Sequence, residues 1–222
     1  ELLNTELDAL LGSKYRVRIP VDKILDANWS PENAARYYQQ LNNDRNVDII
    51  LGFGVLSSSI IAREESYRKP TIVLGIINPE IYDIAPYNQP FSRVRNFSYI
   101  LINQSIERDI DAFYRIYPYQ NLGIVFFDEL VLNKVLSGEG IREIMQKNQT
   151  TYSPLPIKHS IDDVLNNLTG INAVYLGHLG RFEGEQKKRL IEALTARGIP
   201  TFGFTVRDAG QGAFAAITPP EN

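Results

Sequence analysis

The sequence predicts an α/β protein of two doubly wound lobes with a cleft between them, and three observations carry that prediction. Apolar, β-rich runs alternate with helical patterns along the 222 residues, as they do where parallel strands are joined by covering helices. The runs over 47–53 and 71–77 are apolar almost throughout rather than alternating, which fits strands buried on both faces. The whole series then repeats, giving two successive sets of about 100 residues each.

Leucines at positions 2, 3, 7, 10 and 11 space a helix over 1–11, and Gly12 stops it. Residues 15–20 alternate in the manner of a strand. Ser30-Pro31-Glu32 supplies a cap and a first turn for a helix reaching Asn43. The strand over 47–53 passes through Gly52-Phe53-Gly54 into a helix with Ser57, Ser58 and Ser59 near its start. Strands over 71–77 and 97–102 follow. Ile106, Ile110, Phe113, Tyr114 and Tyr117 then share one face of a helix over 106–117. The second series reads as strand 122–127, helix 130–147, strand 151–158, helix 161–168 and strand 173–176. A helix over 183–197, closed by Gly198 and Pro200, a strand over 201–205 and an edge over 213–217 complete it. These elements define Rossmann-like lobes over 1–105 and 106–222, with the crossover near 103–121. A doubly wound lobe normally opens on a strand, whereas this chain opens on a helix. The first strand of the first lobe is therefore expected to be missing and the chain to be truncated. One larger α/β sheet is the alternative.

Composition narrows the function classes. With 23 Lys and Arg against 26 Asp and Glu, a net charge of −3 gives no footprint for nucleic acid or an anionic membrane. No apolar run approaches a membrane span of about 18 residues, so no direct membrane insertion is expected. The absence of cysteine rules out disulfides, thiolate metal sites and cysteine nucleophiles; it is compatible with the cytoplasm and with the oxidising periplasm, and it leans toward the envelope, where a chain without thiols cannot mispair. Two histidines without paired ligand spacing, His159 and His178, give no metal site, and no cofactor fingerprint is complete.

The candidate binding residues lie at the carboxyl ends of predicted strands. Gly54 and Ser57–Ser59 form a glycine-bearing loop entering a helix, whose N–H groups and hydroxyls suit a polar or carboxylate group; equally, the serines cap and pack. They match neither a nucleophile elbow nor a dinucleotide fingerprint. Asp128 and Glu129 follow a strand and suit the amine of an amino acid. Adjacent carboxylates on extended backbone point to opposite sides, which argues against a catalytic pair. His178, in Gly177-His178-Leu179, either lines the cleft or is an exposed loop residue. Thr205, Arg207 and Asp208 share a rim, where Arg207 either clamps a carboxylate or pairs with Asp208. Most aromatics are read as core, with Phe53 and Tyr175 as the candidates for cleft aromatics that stack on a flat ligand. Glu185, Lys187, Lys188 and Arg189 are read as the solvated face of their helix.

Asn46-Val47-Asp48-Ile49-Ile50-Leu51-Gly52-Phe53-Gly54 followed by Lys69-Pro70-Thr71-Ile72-Val73-Leu74-Gly75 resembles the first lobe of type I periplasmic solute-binding proteins. Asn121-Leu122-Gly123-Ile124-Val125-Phe126 resembles the opening strand of their second lobe, and Asn172-Ala173-Val174-Tyr175-Leu176 its third. Gly198-Ile199-Pro200-Thr201-Phe202-Gly203-Phe204 with Gly212-Ala213-Phe214-Ala215-Ala216 resembles the last cleft loop and edge strand of the ABC-transporter substrate-binding branch. The resemblance spans nearly the whole chain and departs from the family where Phe53 and Val55 replace small residues. It implies a periplasmic or lipid-anchored receptor that closes on a small solute, often an amino acid, without catalysis and beside a membrane permease. Its ligand residues would be Phe53, Gly54, Ser57, Ser58, Gly75, Asn78, Asp128, Glu129, Gly177, His178, Thr205, Arg207 and Asp208. A ligand-sensing or accessory domain beside an envelope efflux component is the alternative role, and an α/β enzyme a third.

Overall fold

The computed structural model describes residues 2–77, 92, 94–101, 106–128 and 139–217. Two wholly parallel sheets organise them. The first holds β1 (Ile50–Phe53), β2 (Thr71–Ile76) and β3 (Phe97–Leu101) in the order β1-β2-β3. The second holds β4 (Asn121–Phe127), β5 (Thr151–Ile157), β6 (Ala173–Leu176), β7 (Thr201–Gly203) and β8 (Ala215–Ala216) in the order β5-β4-β6-β7-β8. The helices are α1 (Leu2–Leu11), α2 (Pro31–Asn43), α3 (Val55–Ile61), α4 (Ile106–Ile116), α5 (Glu139–Asn148), α6 (Asp162–Leu165), α7 (Glu185–Ala196) and α8 (Val206–Gly210).

The second sheet is covered on both faces, and the period of two along its strands decides which residue meets which helix. Leu122 and Ile124 of β4, with Ala173 and Tyr175 of β6, join Ile110 and Phe113 of α4 and Ile141 and Met145 of α5. Val125 and Phe127, with Val174 and Leu176, face the other way, toward Val164 of α6 and Leu190, Ile191 and Leu194 of α7. The chain runs outward from β4 to β5, then crosses back to β6, so strand order reverses between β4 and β6. In the first sheet, α2 and α3 bring Tyr38, Ile61 and Ala62 to Ile50, Val73, Ile76 and Phe97. A stack of Tyr67 on Phe97, with centroids 4.6 Å apart, closes this core.

Several elements end where local chemistry stops them. Ser30 Oγ accepts the Asn33 N–H at 3.2 Å and Pro31 opens the helix, so α2 begins where the sequence places it. The strand expected over 47–53 starts at Ile50 because residues 44–47 form a turn, with the Val47 N–H donating to the Asp44 carbonyl at 3.2 Å. The strand expected over 15–20 is not formed: these residues take no regular secondary structure and pair with no strand among the described residues, although Val17 and Ile19 are half-buried. The helix expected over 161–168 keeps only Asp162–Leu165. The strand expected over 201–205 stops at Gly203, because the Thr205 N–H turns to the Asp208 carboxylate at 2.9 Å and opens α8. The helix expected over 130–147 is described as α5, Glu139–Asn148, and residues 130–138 lie outside the described residues.

Candidate functional site

In open α/β sheets the loops after the strands diverge where strand order reverses, leaving a crevice at the carboxyl end. Here the reversal falls between β4 and β6, which makes their carboxyl ends the candidate region. Gly177 continues the contact, its N–H donating to the Val125 carbonyl at 2.9 Å, and a Cβ on Gly177 would stand 2.8 Å from that oxygen. The glycine thus lets the two strand ends close up and sets His178 beside Phe127. Asp128, directly after β4, keeps a partly open carboxylate 3.8 Å from Lys158 Nζ.

His178 is held by its surroundings. Its Nδ1 accepts the Gly180 N–H at 3.1 Å, which leaves Nε2 as the protonated nitrogen of the neutral ring. The indole of Trp29 lies over it at 4.8 Å, and Phe204 meets it edge-on at 6.0 Å. Burial lowers the His178 pKa, an effect that Glu183 opposes at 3.5 Å and Lys187 reinforces. The imidazole is thereby a neutral donor rather than a cation.

A chain of polar contacts runs inward from this histidine. Glu183 accepts the Leu179 N–H at 2.8 Å and lies 3.4 Å from Lys187 Nζ, which in turn meets Asp208 at 2.9 Å. Lys187 is 1% exposed and Asp208 2%. Two expectations are corrected here. Lys187 is not on the solvated face of α7, because its ammonium is drawn inward by two carboxylates. Asp208 is not a rim group open to solute, because its carboxylate holds the buried lysine and the turn into α8; nor does it pair with Arg207, which is exposed on α8.

Around the first sheet, Gly54 turns the chain at φ +85 with open space where a side chain would be. Gly75 sits at φ +145 in a register break of β2 against β3, and a Cβ there would come within 2.8 Å of the Gly54 backbone. Ser58 packs into the same contact, fully buried, its hydroxyl without a hydrogen-bond partner among the described residues. Ser57 is half-buried, and Phe53 is 53% exposed. Val55 and Leu56 belong to the same apolar cluster as Val125, Phe127 and Leu176. The loop after β1 and the carboxyl ends of the second sheet are therefore brought together by that cluster. Tyr175 is corrected from a cleft aromatic to a core residue: it is fully buried beneath α4 and its hydroxyl donates to Asp109 at 3.2 Å. Asn78 and Glu129 lie outside the described residues.

Trp29 and Glu183 are the residues that sequence reasoning passed over, and Lys187 is the one it assigned to solvent. The first had a signal, since a large apolar ring alone in the polar run Asp26-Ala27-Asn28-Trp29-Ser30 has to find burial beyond its own loop. The burial of Lys187 had none, because its helix carries charges on both sides of it in sequence.

No helix among the described residues is long and apolar enough to cross a membrane, and no group of three or more His, Cys, Asp or Glu among them is placed to hold a metal ion. No protein-family model and no curated protein matches the sequence. Solved structures do match. An ABC domain from Streptococcus pneumonia in complex with L-Trp is 11% identical, with a TM-score of 0.65 over 85% of this chain and 66% of that one. A conserved domain protein from Vibrio cholerae is 14% identical, with a TM-score of 0.63 over 83% of this chain and 62% of that one. A leucine binding protein from Thermotoga maritima is 16% identical, with a TM-score of 0.57 over 81% of this chain and 50% of that one. This chain thus spans between 50% and 66% of the lengths of these three structures. Two parallel sheets, a strand-order reversal in the second and these matches lead to one conclusion: the chain has the fold of the type I periplasmic solute-binding proteins.

Proposed function

We propose that the chain is the ligand-binding part of a solute receptor of an ABC-type transport system in the cell envelope, and that it binds a small solute without changing it. The observation that carries the reading is the apolar cluster that brings Val55 and Leu56, at the start of α3, to Val125, Phe127 and Leu176 beside the strand-order reversal of the second sheet. Residues 1–105 and 106–222 would act as two lobes moving about a hinge, and Arg207 and Thr205 would meet the solute at the rim. Such a receptor works by binding energy alone: a solute that prefers the closed arrangement shifts the population toward it, and a membrane permease reads the result. Two of the matched structures support an amino acid as the solute, one holding L-Trp and the other named for leucine. In this reading Asp128 takes the amine, while the neutral His178 donates to an oxygen of the ligand.

A thermal-shift screen against amino acids, nucleosides, sugars and small carboxylates tests the proposal. A solute present at a hundredfold excess over its dissociation constant adds about 2.7 kcal/mol of stability. A shift confined to one chemical class, with the compound recovered intact, is the expected result. Turnover of the compound, or no shift with any class, refutes the receptor reading.

A further inference from the structure

Trp29 is the only tryptophan of the chain. It reaches from the loop ahead of α2 to the carboxyl end of the second sheet, where its ring meets Phe127, the last residue of β4, edge-on at 5.6 Å. On its other contact it meets His178, two residues past β6, at a tilt of 51° with centroids 4.8 Å apart. These residues flank the strand-order reversal, so the indole stands at the end of the sheet where one of this kind takes its ligand.

The backbone that puts it there is unfavourable. Asn28 and Trp29 have φ +48 and +58, and while asparagine tolerates the left-handed region, a bulky aromatic residue rarely enters it. The conformation persists because the loop is fixed from both sides: the Asn28 N–H donates to Asp26 at 2.8 Å, and the Ser30 N–H donates to the Ala27 carbonyl at 3.0 Å. Backbone strain of this kind collects where a segment has a task beyond packing. Trp29 as a whole is only half-buried, so the contacts with Phe127 and His178 do not enclose it.

We infer that Trp29 is an internal occupant of a ring-sized subsite bounded by Phe127 and His178, and that this subsite takes the planar aromatic ring of a solute when the indole moves out. The inference rests on the reading of the cleft as a solute site and names its ligand class. Ring faces and edges supply the recognition, favouring a flat aromatic group over an aliphatic one of equal size.

Removing the occupant tests it. Trp29→Ala leaves the protein free of tryptophan, so added indole is the sole indole fluorophore. With folding checked by circular dichroism, indole is expected to bind the variant saturably, with its emission moving to the blue, and at least about tenfold more tightly than the wild type by saturation-transfer NMR, as apolar cavities left by deleted side chains bind small rings. Cyclohexylmethanol should bind both proteins equally poorly. Trp29→Leu, which half-fills the space, should fall between the two. A folded Trp29→Ala protein that takes indole no better than the wild type overturns the inference. Should neither variant fold, acrylamide quenching of the wild type decides: a shielded Trp29 that His178→Ala exposes supports it, and a Trp29 quenched as freely as the free amino acid overturns it. A solute found by the thermal-shift screen while Trp29→Ala refuses indole sinks this inference alone. Indole uptake by the variant with no solute found for the wild type sinks the receptor reading and the ligand class with it, and leaves only a ring-sized space between Phe127 and His178.

Discussion

Lys187 and Asp208 form an ion pair that has been taken out of water, and such a pair is destabilising to break because the surviving charge has no solvent. Lys187→Met is expected to cost about 3–5 kcal/mol in urea unfolding, with Lys187→Met/Asp208→Asn regaining much of the loss; equal losses in the single and double variants would show that the pair is not the cause. His178 gives a prediction in pH. Burial places its pKa below the ordinary histidine value of about 6.5, so the unfolded chain takes up a proton before the folded one does. Stability therefore falls as pH drops through that value. The difference in urea midpoint between about pH 7.5 and about pH 5.5 should be smaller in His178→Gln than in the wild type, and an unchanged difference would assign the slope elsewhere. Neither feature was wholly legible beforehand. The position of His178 after a strand could be read from its neighbours, but the inward turn of Lys187 depends on two carboxylates that only the fold assembles.

Among the elements, those with a period and a cap were the readable ones. α2 carries both, and its cap is open to direct test: Ser30→Ala should lower stability by about 1 kcal/mol, seen as a shifted midpoint with an unchanged slope in denaturant. β6 and β4 stood out as short apolar runs bounded by Asn121, Asn172 and Gly177. The stretch at residues 15–20 shows the limit of such reading, since alternation fits a strand face but says nothing about whether a neighbouring strand is present to bond it. Likewise the end of β7 was set by a side chain, Asp208, folding back on the Thr205 N–H, a contact between residues three apart that looks in sequence like a continuing strand. Gly75 was read as a ligand residue, and its conformation adds a packing role. Gly75→Ala meets both the strain of φ +145 and the Gly54 backbone, so a loss of about 2–4 kcal/mol is expected from thermal unfolding; a neutral substitution would show that the β2 break relaxes freely.

At the scale of the molecule, the doubly wound plan was legible because both faces of the second sheet had to be apolar and its helices had to alternate with its strands. The first sheet is less complete: among the described residues, no strand pairs with the outer edge of β1, and Ile49, at that edge, is 56% exposed. An unpaired parallel edge recruits other strands. The protein is expected to self-associate as concentration rises in sedimentation velocity, and Ile49→Lys, which sets a charge at that edge, should hold it as a monomer; a wild type that stays monomeric throughout refutes this. The candidate region could be placed from strand order in outline, yet its indole came from a loop that precedes the first strand, a contact between distant parts of the chain that carries no local pattern. The buried ammonium of Lys187 has one more consequence, this time for chemical reactivity. An amine-acylating reagent that modifies surface lysines within moments can reach this one only when α7 and α8 part, so its rate of modification counts spontaneous openings of the second sheet's outer layer. The protein thus carries, in a single shielded nitrogen, a clock for its own breathing.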